Sequence, residues 1–168
     1  MCGIIGYVGS RECKPLLLQG LERLEYRGYD SSGLALLEEG GLEYVRAVGV
    51  LDNLKVRAGT NSSTATTGLG HTRWATHGAV TEANAHPLAG CHPSKLSIVL
   101  NGIVENYAEL RKGLSGHRFT SATDTEVVAH LVEHFYRKLG GRHPLRALTL
   151  ALAKIRGSFA LGVIFADH

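Results

Sequence analysis

The sequence predicts an α+β fold in which antiparallel sheets are layered with helices. Apolar, β-branched segments alternate with amphipathic segments along the 168 residues, and short glycine-containing links join neighbouring strands as in hairpins. Hydrophobic residues make up 44% of the chain and charged residues 20%, which is enough apolar material for one sizeable core. We therefore expect residues 1–168 to form a single domain without internal repeats or an interdomain linker.

The first half is predicted to contain a buried strand, a helix, a hairpin and a second helix. The strand covers 3–9, where apolar residues lie between glycines, and the helix covers 11–25, with leucines at 17, 18, 21 and 24 on one face. The hairpin joins 33–38 to 42–48 through Gly40 and Gly41. A short helix over 51–58 follows, and loops are expected over 26–33 and 59–67.

The second half repeats this alternation. The run LSIVL predicts a strand over 96–100, and SFALGVIF predicts a closing strand over 158–165. Helices are expected between them, at 104–112, 124–138 and 145–154.

Composition and charge exclude several classes of function. The net charge is only +3, and basic residues are scattered among acidic ones, so neither nucleic acid nor a membrane surface is an expected partner. The sequence has no apolar run of about 18 residues and no signal-peptide pattern, which predicts a cytoplasmic protein. Three cysteines without a CxxC spacing argue against disulfides and a structural zinc. A small-molecule partner is expected.

The second residue combines a nucleophile and a base if the initiator methionine is removed. Loss of Met1 leaves the Cys2 thiol and a free α-amine on one residue. A thiol attacks as its thiolate and needs a proton acceptor, because its ordinary pKa is about 8.5. An α-amine, with a pKa of about 7.7 to 8.0, suits that task near neutral pH. Taken alone, Cys2 is more often interpreted as a small hydrophobic residue at the start of a strand.

Residues 70–78, GHTRWATHG, have the composition of a binding loop. They hold two histidines, an arginine and the only tryptophan, with neither helical nor strand periodicity. The planar donor fork of Arg73 matches a carboxylate, and Asp124 is a partner for an ammonium group, so the pair suggests an amino-acid site. The alternatives are a surface ion pair for Arg73, a helix N-cap for Asp124 and core packing for Trp74.

Asn101 and Gly102 follow directly after a predicted strand and have two interpretations. Asn-Gly is the strongest hairpin signal, which predicts a tight turn. However, residues 103–106 do not resemble a returning strand. A side-chain amide beside a glycine N–H at a strand end is then a candidate oxyanion hole.

Six segments, in order along nearly the whole chain, resemble the glutaminase domain of the glucosamine-6-phosphate synthase family. They are MCGIIGYVG at 1–9, LEYRGYDSSGLAL at 24–36, GHTRWATHG at 70–78, HP at 86–87, LNGIVENYAELR at 100–111 and TDTEVVAHLV at 123–132. Other amidotransferases with an N-terminal cysteine share the Cys-Gly-Ile start, whereas the second and third segments are similar to the sugar-phosphate member in particular.

The resemblance implies the N-terminal-nucleophile hydrolase fold, a four-layer α/β/β/α sandwich, and no cofactor or metal. It implies that Cys2 attacks the side-chain amide of L-glutamine, that ammonia leaves, and that water hydrolyses the thioester to glutamate. It also implies that Asn101 and Gly102 form the oxyanion hole. Arg73, with Thr76 and His77, would bind the α-carboxylate of glutamine, and Asp124 would bind its α-ammonium. Arg27 would position the nucleophile's end of the site, and Trp74 would gate the path of ammonia.

The sequence departs from the family pattern in two places. Leu100 occupies a position that is typically histidine in bacterial members, and as a strand residue it is expected to be tolerated. The family's domain also continues past the last predicted strand, and a sugar-phosphate isomerase half that uses fructose 6-phosphate follows it. Because the sequence stops at His168, we expect an incomplete sandwich that cannot make glucosamine 6-phosphate alone. The full-length protein is expected to be a homodimer.

Two functions from other classes remain open at this point. Residues 130–134 read HLVEH, which matches the HxxEH zinc pattern with His130 and His134 as ligands and Glu133 as base. That pattern needs a third ligand downstream, and the polar stripe of this helix is more simply interpreted as a solvated face, so no metal is expected. The other hypothesis is a non-catalytic glutamine-binding or structural module, which retention of Met1 would favour.

Overall fold

Two antiparallel sheets form the centre of the molecule, in a computed structural model that describes residues 1–59 and 62–168. The first sheet has the strand order β1-β4-β2-β3 and the second has the order β5-β6-β7. The strands are β1 (Gly3–Val8), β2 (Ser31–Glu38), β3 (Gly41–Val48), β4 (Thr67–Arg73), β5 (Leu88–Ala89), β6 (Leu96–Val104) and β7 (Gly157–Phe165).

Helices cover the outer face of each sheet. Helices α1 (Cys13–Leu24) and α2 (Leu51–Gly59) pack on the first sheet. On the second sheet, α4 (Thr125–Lys138) contacts β5 and β6, and it carries α3 (Tyr107–Gly113) and α5 (Pro144–Leu152) against it. The result is the four-layer α/β/β/α sandwich that the resemblance implies. No helix in the described part of the chain is long and apolar enough to cross a membrane.

Strand alternation produces the buried layers. On β6, Leu96, Ile98 and Leu100 pack with the helices of their own side, whereas Val99 packs between the sheets in one cluster with Leu69. This period of two is the ordinary consequence of strand geometry, in which successive side chains point to opposite faces. The same alternation directs every second residue of β1, β4 and β6 into the space between the sheets.

Strand β4 falls in segments that the sequence analysis assigned to loops, so that prediction is wrong. Glycines occupy its helix-facing positions: a Cβ on Gly68 would lie 2.8 Å from Leu17 Cδ1, and one on Gly70 would lie 3.2 Å from Leu21 Cδ1. These glycines let α1 approach the sheet closely. They also remove the alternating apolar pattern by which a strand is recognised.

The turn interpretation of Asn101 and Gly102 is also wrong. Strand β6 continues through both residues, and they pair with Ala160 and Phe159 of β7. The helix expected from residue 104 therefore begins only at Tyr107. Smaller differences concern element starts: β2 begins at Ser31 instead of 33, and α1 begins at residue 13 instead of 11. The two-residue strand β5 was not predicted. The hairpin β2–β3, helices α2, α4 and α5, and strand β7 confirm their predictions within a few residues.

The first part of the polar stripe of α4 is buried, contrary to the prediction of a solvated face, whereas His134 is half-buried and Arg137 is exposed. Glu126, His130 and Glu133 are 1%, 0% and 4% exposed. The loop after β5 covers Glu133 with the backbone N–H groups of Cys91 and His92. The segment before α4 covers Glu126 in the same way, so both carboxylates are buried with hydrogen-bond partners.

Candidate active site

Cys2 lies where the inner face of the first sheet meets the end of β4. Gly3 pairs with Thr72, and Ile4 packs in the cluster between the sheets, so Cys2 lies on the same side as Ile4. The backbone N–H of Trp74 points at Cys2 Sγ, with the nitrogen 3.2 Å from the sulfur. The sulfur therefore accepts a hydrogen bond from the residue that follows β4, which fixes its position at the end of that strand.

The Asn101 side chain is held at both ends beside this cysteine. Its Nδ2 donates to the carbonyl oxygen of Cys2 at 3.0 Å, and its Oδ1 lies 2.9 Å from His71 Nε2. Burial lowers the pKa of His71 to about 4, so its ring is neutral and donates from Nε2 to the amide oxygen. The amide orientation is fixed, and one N–H of Nδ2 is left for a ligand.

His71 is a residue that the sequence analysis did not single out. It is fully buried, and the His86 ring lies against it with a centroid separation of 4.3 Å. The sequence signal that could have identified it is its position two residues before Arg73, because residues two apart in a strand lie on the same face. That signal is useful only when β4 is recognised as a strand.

Gly102 has a conformation that side chains rarely adopt. Its φ is +135°, and a Cβ at this position would lie 2.1 Å from the carbonyl oxygen of Ser158. Glycine therefore lets β6 and β7 approach each other beside Cys2. Its backbone, next to the Asn101 amide, lines the cavity described below.

The Arg73 guanidinium is buried under the loop that follows it. Its Nη1 donates to the carbonyl of Ala79 at 3.3 Å, and its Nη2 donates to the carbonyls of His77 at 2.5 Å and Gly78 at 3.2 Å. A guanidinium has five N–H groups. Those on Nη1 and Nη2 donate to the carbonyls of residues 77–79 and fold the loop over the side chain.

Asp124 lies on the opposite wall, at the start of α4. It is 4% exposed, and its Oδ2 accepts the backbone N–H of Val104 at 2.7 Å. Its side chain makes no N-cap hydrogen bond to α4, so the simple capping interpretation is wrong. One carboxylate oxygen therefore ties the end of β6 to the start of α4.

The predicted site residues come together around two adjoining cavities. Cys2, Trp74, Thr76 and Gly102 line both cavities. The smaller cavity adds Arg73, His77 and Asp124, and the larger and more open one adds Met1, Arg27, Asn101, Ile103 and Phe159. A buried cation and a buried anion therefore face the small cavity, and the thiol lies where the two cavities meet.

The loop at 26–30 supports this arrangement from outside. A Cβ on Gly28 would lie 2.8 Å from the carbonyl carbon of Arg73, so glycine allows close approach of the two backbones. Asp30 Oδ2 accepts the N–H of Ala75 at 2.8 Å. Arg27 Nη2 points at Met1 Sδ, 3.7 Å away. Removal of Met1 would therefore free this cation beside the new amino terminus.

Stability should fall in acid in a way that depends on His71. Below about pH 6.5 the unfolded histidine takes up a proton that the folded one resists until about pH 4. The free energy of unfolding should therefore decrease as pH falls through this window, by at most about 1.4 kcal/mol per pH unit for one histidine. His71→Gln should flatten the slope, as measured by urea unfolding between pH 7 and pH 4.5.

Within this pH window the two buried carboxylates of α4 do not contribute to the change in the free energy of unfolding. Hydrogen bonds overcome the effect of burial and lower the pKa of Glu126 and of Glu133 to about 2. Their contribution is therefore lost only below about pH 4.5, where the unfolded carboxylates begin to protonate. Parallel curves for His71→Gln and the unchanged protein between pH 6.5 and 4.5 would contradict a neutral, buried His71.

The four-layer α/β/β/α sandwich, with Cys2 directly before its first strand, has the architecture of the N-terminal-nucleophile hydrolase fold. The family model for the glutamine amidotransferase domain matches residues 57–164, and the chain belongs to that family. The chain is 51% identical over 170 residues to the glutamine–fructose-6-phosphate aminotransferase (isomerizing) of Gloeobacter violaceus. It is 49% identical to the protein of the same name from Thermus thermophilus. The matches cover 99% and 100% of this chain but 27% of each relative, so the chain spans about a quarter of their length.

Solved amidotransferases share the fold. The glutamine phosphoribosylpyrophosphate amidotransferase of B. subtilis superposes with a TM-score of 0.81 at 22% identity, over 99% of this chain and 35% of that one. An allosteric regulatory enzyme of purine biosynthesis gives a TM-score of 0.83 at 23% identity, over 99% of this chain and 36% of that one. The predicted fold class is therefore confirmed.

Proposed function

We propose that this domain hydrolyses the side-chain amide of L-glutamine through a thioester on Cys2. The observation that carries the proposal is the arrangement of a thiol between a buried cation, Arg73, and a buried anion, Asp124, at one small cavity. An α-amino acid carries the complementary pair of charges. A substrate held by both ends presents its side chain to the third group, which is the cysteine.

The first half of the reaction forms the thioester. After Met1 is removed, the Cys2 amine accepts the thiol proton and the sulfur attacks the amide carbon of glutamine. The amide oxygen becomes an oxyanion, for which the free N–H of Asn101 Nδ2 and the backbone of Gly102 are the neighbouring groups. The C–N bond then breaks, the amine returns its proton to the leaving nitrogen, and ammonia departs.

The second half restores the enzyme. Water loses a proton to the same amine and attacks the thioester carbon, the C–S bond breaks, the amine returns the proton to the departing sulfur, and glutamate leaves. Arg27 lines only the larger cavity, whereas Trp74 lines both cavities beside the sulfur. We assign Arg27 to positioning the new amino terminus, and Trp74 to control of the path between the two cavities.

The proposal for the longer protein follows from its relatives. Their names describe transfer of the glutamine nitrogen to fructose 6-phosphate with isomerisation. We propose that this domain supplies ammonia to a sugar-phosphate isomerase domain that makes glucosamine 6-phosphate, in a cytoplasmic homodimer. Comparison of amidotransfer by the longer protein with ammonia release by residues 1–168 tests this assignment.

Trapping of the thioester tests the glutaminase proposal directly. Intact mass first verifies that the purified chain has lost Met1. The processed chain should then release ammonia and glutamate in equal amounts from glutamine, and with hydroxylamine present it should form γ-glutamyl hydroxamate, because hydroxylamine attacks the thioester in place of water. A processed chain that releases no ammonia, or releases it without forming hydroxamate, would contradict the proposal.

Asp124→Asn should weaken the recognition of the substrate's ammonium group. We expect kcat/KM for glutamine to fall by about 30-fold, or about 2 kcal/mol, because a buried ammonium loses its counter-charge. Asparagine keeps an oxygen that can accept the Val104 N–H, which limits damage to the fold. Steady-state ammonia release measures the effect.

Glutaramate, which is glutamine without the α-amino group, is the matched control on the substrate side. Its slower hydrolysis should be insensitive to Asp124→Asn, since it has no ammonium to bind. On the protein side, Asp167→Asn removes an exposed carboxylate that pairs with Lys95 at 2.9 Å, and it should change neither rate. An equal loss for glutamine and glutaramate would mean that Asp124 acts only on the fold.

A further inference from the structure

A second cluster of reactive side chains lies on the outer side of the second sheet, at α4. Cys91 Sγ, His117 Nδ1, His130 Nδ1 and a carboxylate oxygen of Glu133 all lie within 4.8 Å of one another. Cys91 comes from the loop after β5, His117 from the segment after α3, and the other two from α4. None of these four side chains lines the glutaminase cavities.

The spacing of these atoms matches a tetrahedral metal site. Cys91 Sγ lies 3.5 Å from His117 Nδ1 and 3.6 Å from His130 Nδ1, and the two Nδ1 atoms are 3.2 Å apart. Glu133 Oε2 lies 3.6 Å from His117 Nδ1 and 3.9 Å from His130 Nδ1. A tetrahedral zinc with bonds of about 2.0 Å to nitrogen and 2.3 Å to sulfur holds its ligand atoms about 3.3 to 3.6 Å apart.

The groups behind the cluster hold it in place. His130 is fully buried, and its other ring nitrogen, Nε2, lies 3.5 Å from Glu126 Oε1, at ion-pair distance and without a hydrogen bond to any of the described residues. Glu126 is itself held by the backbone N–H and hydroxyl groups of Thr120 and Ser121. A carboxylate behind a histidine is the usual outer shell of a metal-bound imidazole, because it fixes the ring and its tautomer.

Glu133 is held in the same manner. Its Oε2 accepts the N–H of Cys91 at 2.9 Å, and its Oε1 accepts the N–H of His92 at 3.0 Å. These bonds keep Oε2 on the side of the cluster where the sulfur and the two Nδ1 atoms converge. The cluster is therefore built from a rigid helix and two loops that are hydrogen-bonded onto that helix.

We propose that Cys91, His117, His130 and Glu133 bind one zinc ion in a closed, structural site. Binding replaces the proton of the Cys91 thiol by a Zn–S bond. The thiolate and the carboxylate then balance the two positive charges of the ion, and the neutral imidazoles complete the tetrahedron. Soft sulfur together with imidazole favours zinc over magnesium or calcium, which prefer oxygen ligands.

This ligand set is not the one that the HxxEH motif predicts. His134, the second histidine of that motif, is not in the cluster, and Glu133 serves as a ligand instead of a base. With four protein ligands there is no open coordination position for water, so the site has no hydrolytic role. Its effect is to join three segments of the second sheet's outer layer, one of which is α4, the helix that begins beside Asp124.

Cobalt substitution tests the site without reference to glutaminase activity. Metal-free residues 1–168 are titrated with Co²⁺. We expect the visible absorption of tetrahedral cobalt and a thiolate-to-cobalt charge-transfer band, both saturating at one ion per chain. Zinc should displace cobalt and raise the melting temperature, since it binds the folded state. Absence of the charge-transfer band at saturating cobalt would overturn the proposal.

Variants separate this site from its alternatives. Cys91→Ser should abolish the charge-transfer band, and His117→Ala and Glu126→Gln should each weaken zinc binding by about 10-fold or more. Two matched controls should leave the charge-transfer band and the zinc affinity unchanged. His134→Ala removes the motif's other histidine, and Cys2→Ser removes another partly exposed thiol. A band that survives Cys91→Ser, or that His134→Ala abolishes, would overturn the assignment, and circular dichroism of each metal-free variant verifies its folding.

Discussion

Cys2→Ala should eliminate glutamine hydrolysis, with a fall in kcat of about 10⁴-fold or more. The variant keeps the amine and the binding groups but has no atom that can form the thioester, and nucleophile removal is among the most damaging changes that a covalent enzyme can suffer. Glutamine should still bind, because Arg73 and Asp124 are unchanged. Ammonia release measures the rate, and isothermal titration with glutamine measures the retained binding.

Cys13→Ala is the matched control for loss of a thiol. Cys13 is fully buried in α1 and lines neither cavity, so its removal should leave kcat within a few-fold of the original value. The intact mass of both variants must show loss of Met1, since a retained methionine would itself remove the terminal base. Residual activity of Cys2→Ala within 10-fold of the unchanged chain would exclude Cys2 as the nucleophile.

Gly102→Ala should damage both stability and activity. Its Cβ would lie 2.1 Å from the carbonyl oxygen of Ser158 and 2.6 Å from Phe159 Cα, and both neighbours are backbone atoms that cannot rotate away. The φ of +135° adds strain for any residue with a Cβ. We expect a loss of about 2 to 4 kcal/mol in the free energy of unfolding and at least a 10-fold fall in kcat/KM.

Gly113→Ala is the corresponding control. This glycine ends α3 and has nothing within 4 Å of an added Cβ, so alanine should be neutral or stabilise by up to about 1 kcal/mol. Urea unfolding of both variants, followed by circular dichroism, gives the comparison. If Gly102→Ala unfolded at the same urea concentration as the unchanged chain, the close approach of β6 and β7 beside the site would be disproved.

The sequence predicted the residues that line the candidate site better than the residues that hold them in place. Cys2, Arg73 and Asp124 have side chains whose chemistry is evident from residue type and order, and they do surround one cavity. His71 was not recognised, because its contact with Asn101 depends on the register of two strands in different sheets. The glycines of β4, which face α1 for reasons of packing, hid one of those strands.

The cluster at α4 shows a related limit of sequence analysis. The motif at 130–134 contains two members of the cluster, His130 and Glu133, but the other two, Cys91 and His117, are 39 and 13 residues before His130. Only the fold brings their loops onto the helix. The amphipathic pattern predicted a solvated face, because periodicity cannot register that hydrogen-bonded loops cover it.

The pairing of Gly3 with Thr72 has a consequence for how this family can vary. Because the face of a strand changes with every residue, one residue inserted between the nucleophile and β1 would turn the thiol towards α1 and away from Trp74. The number of residues between Cys2 and β1 is therefore as constrained as the presence of a cysteine at this position. Length variation among relatives should accumulate at exposed turns such as Glu39-Gly40, and not at the link between the nucleophile and β1.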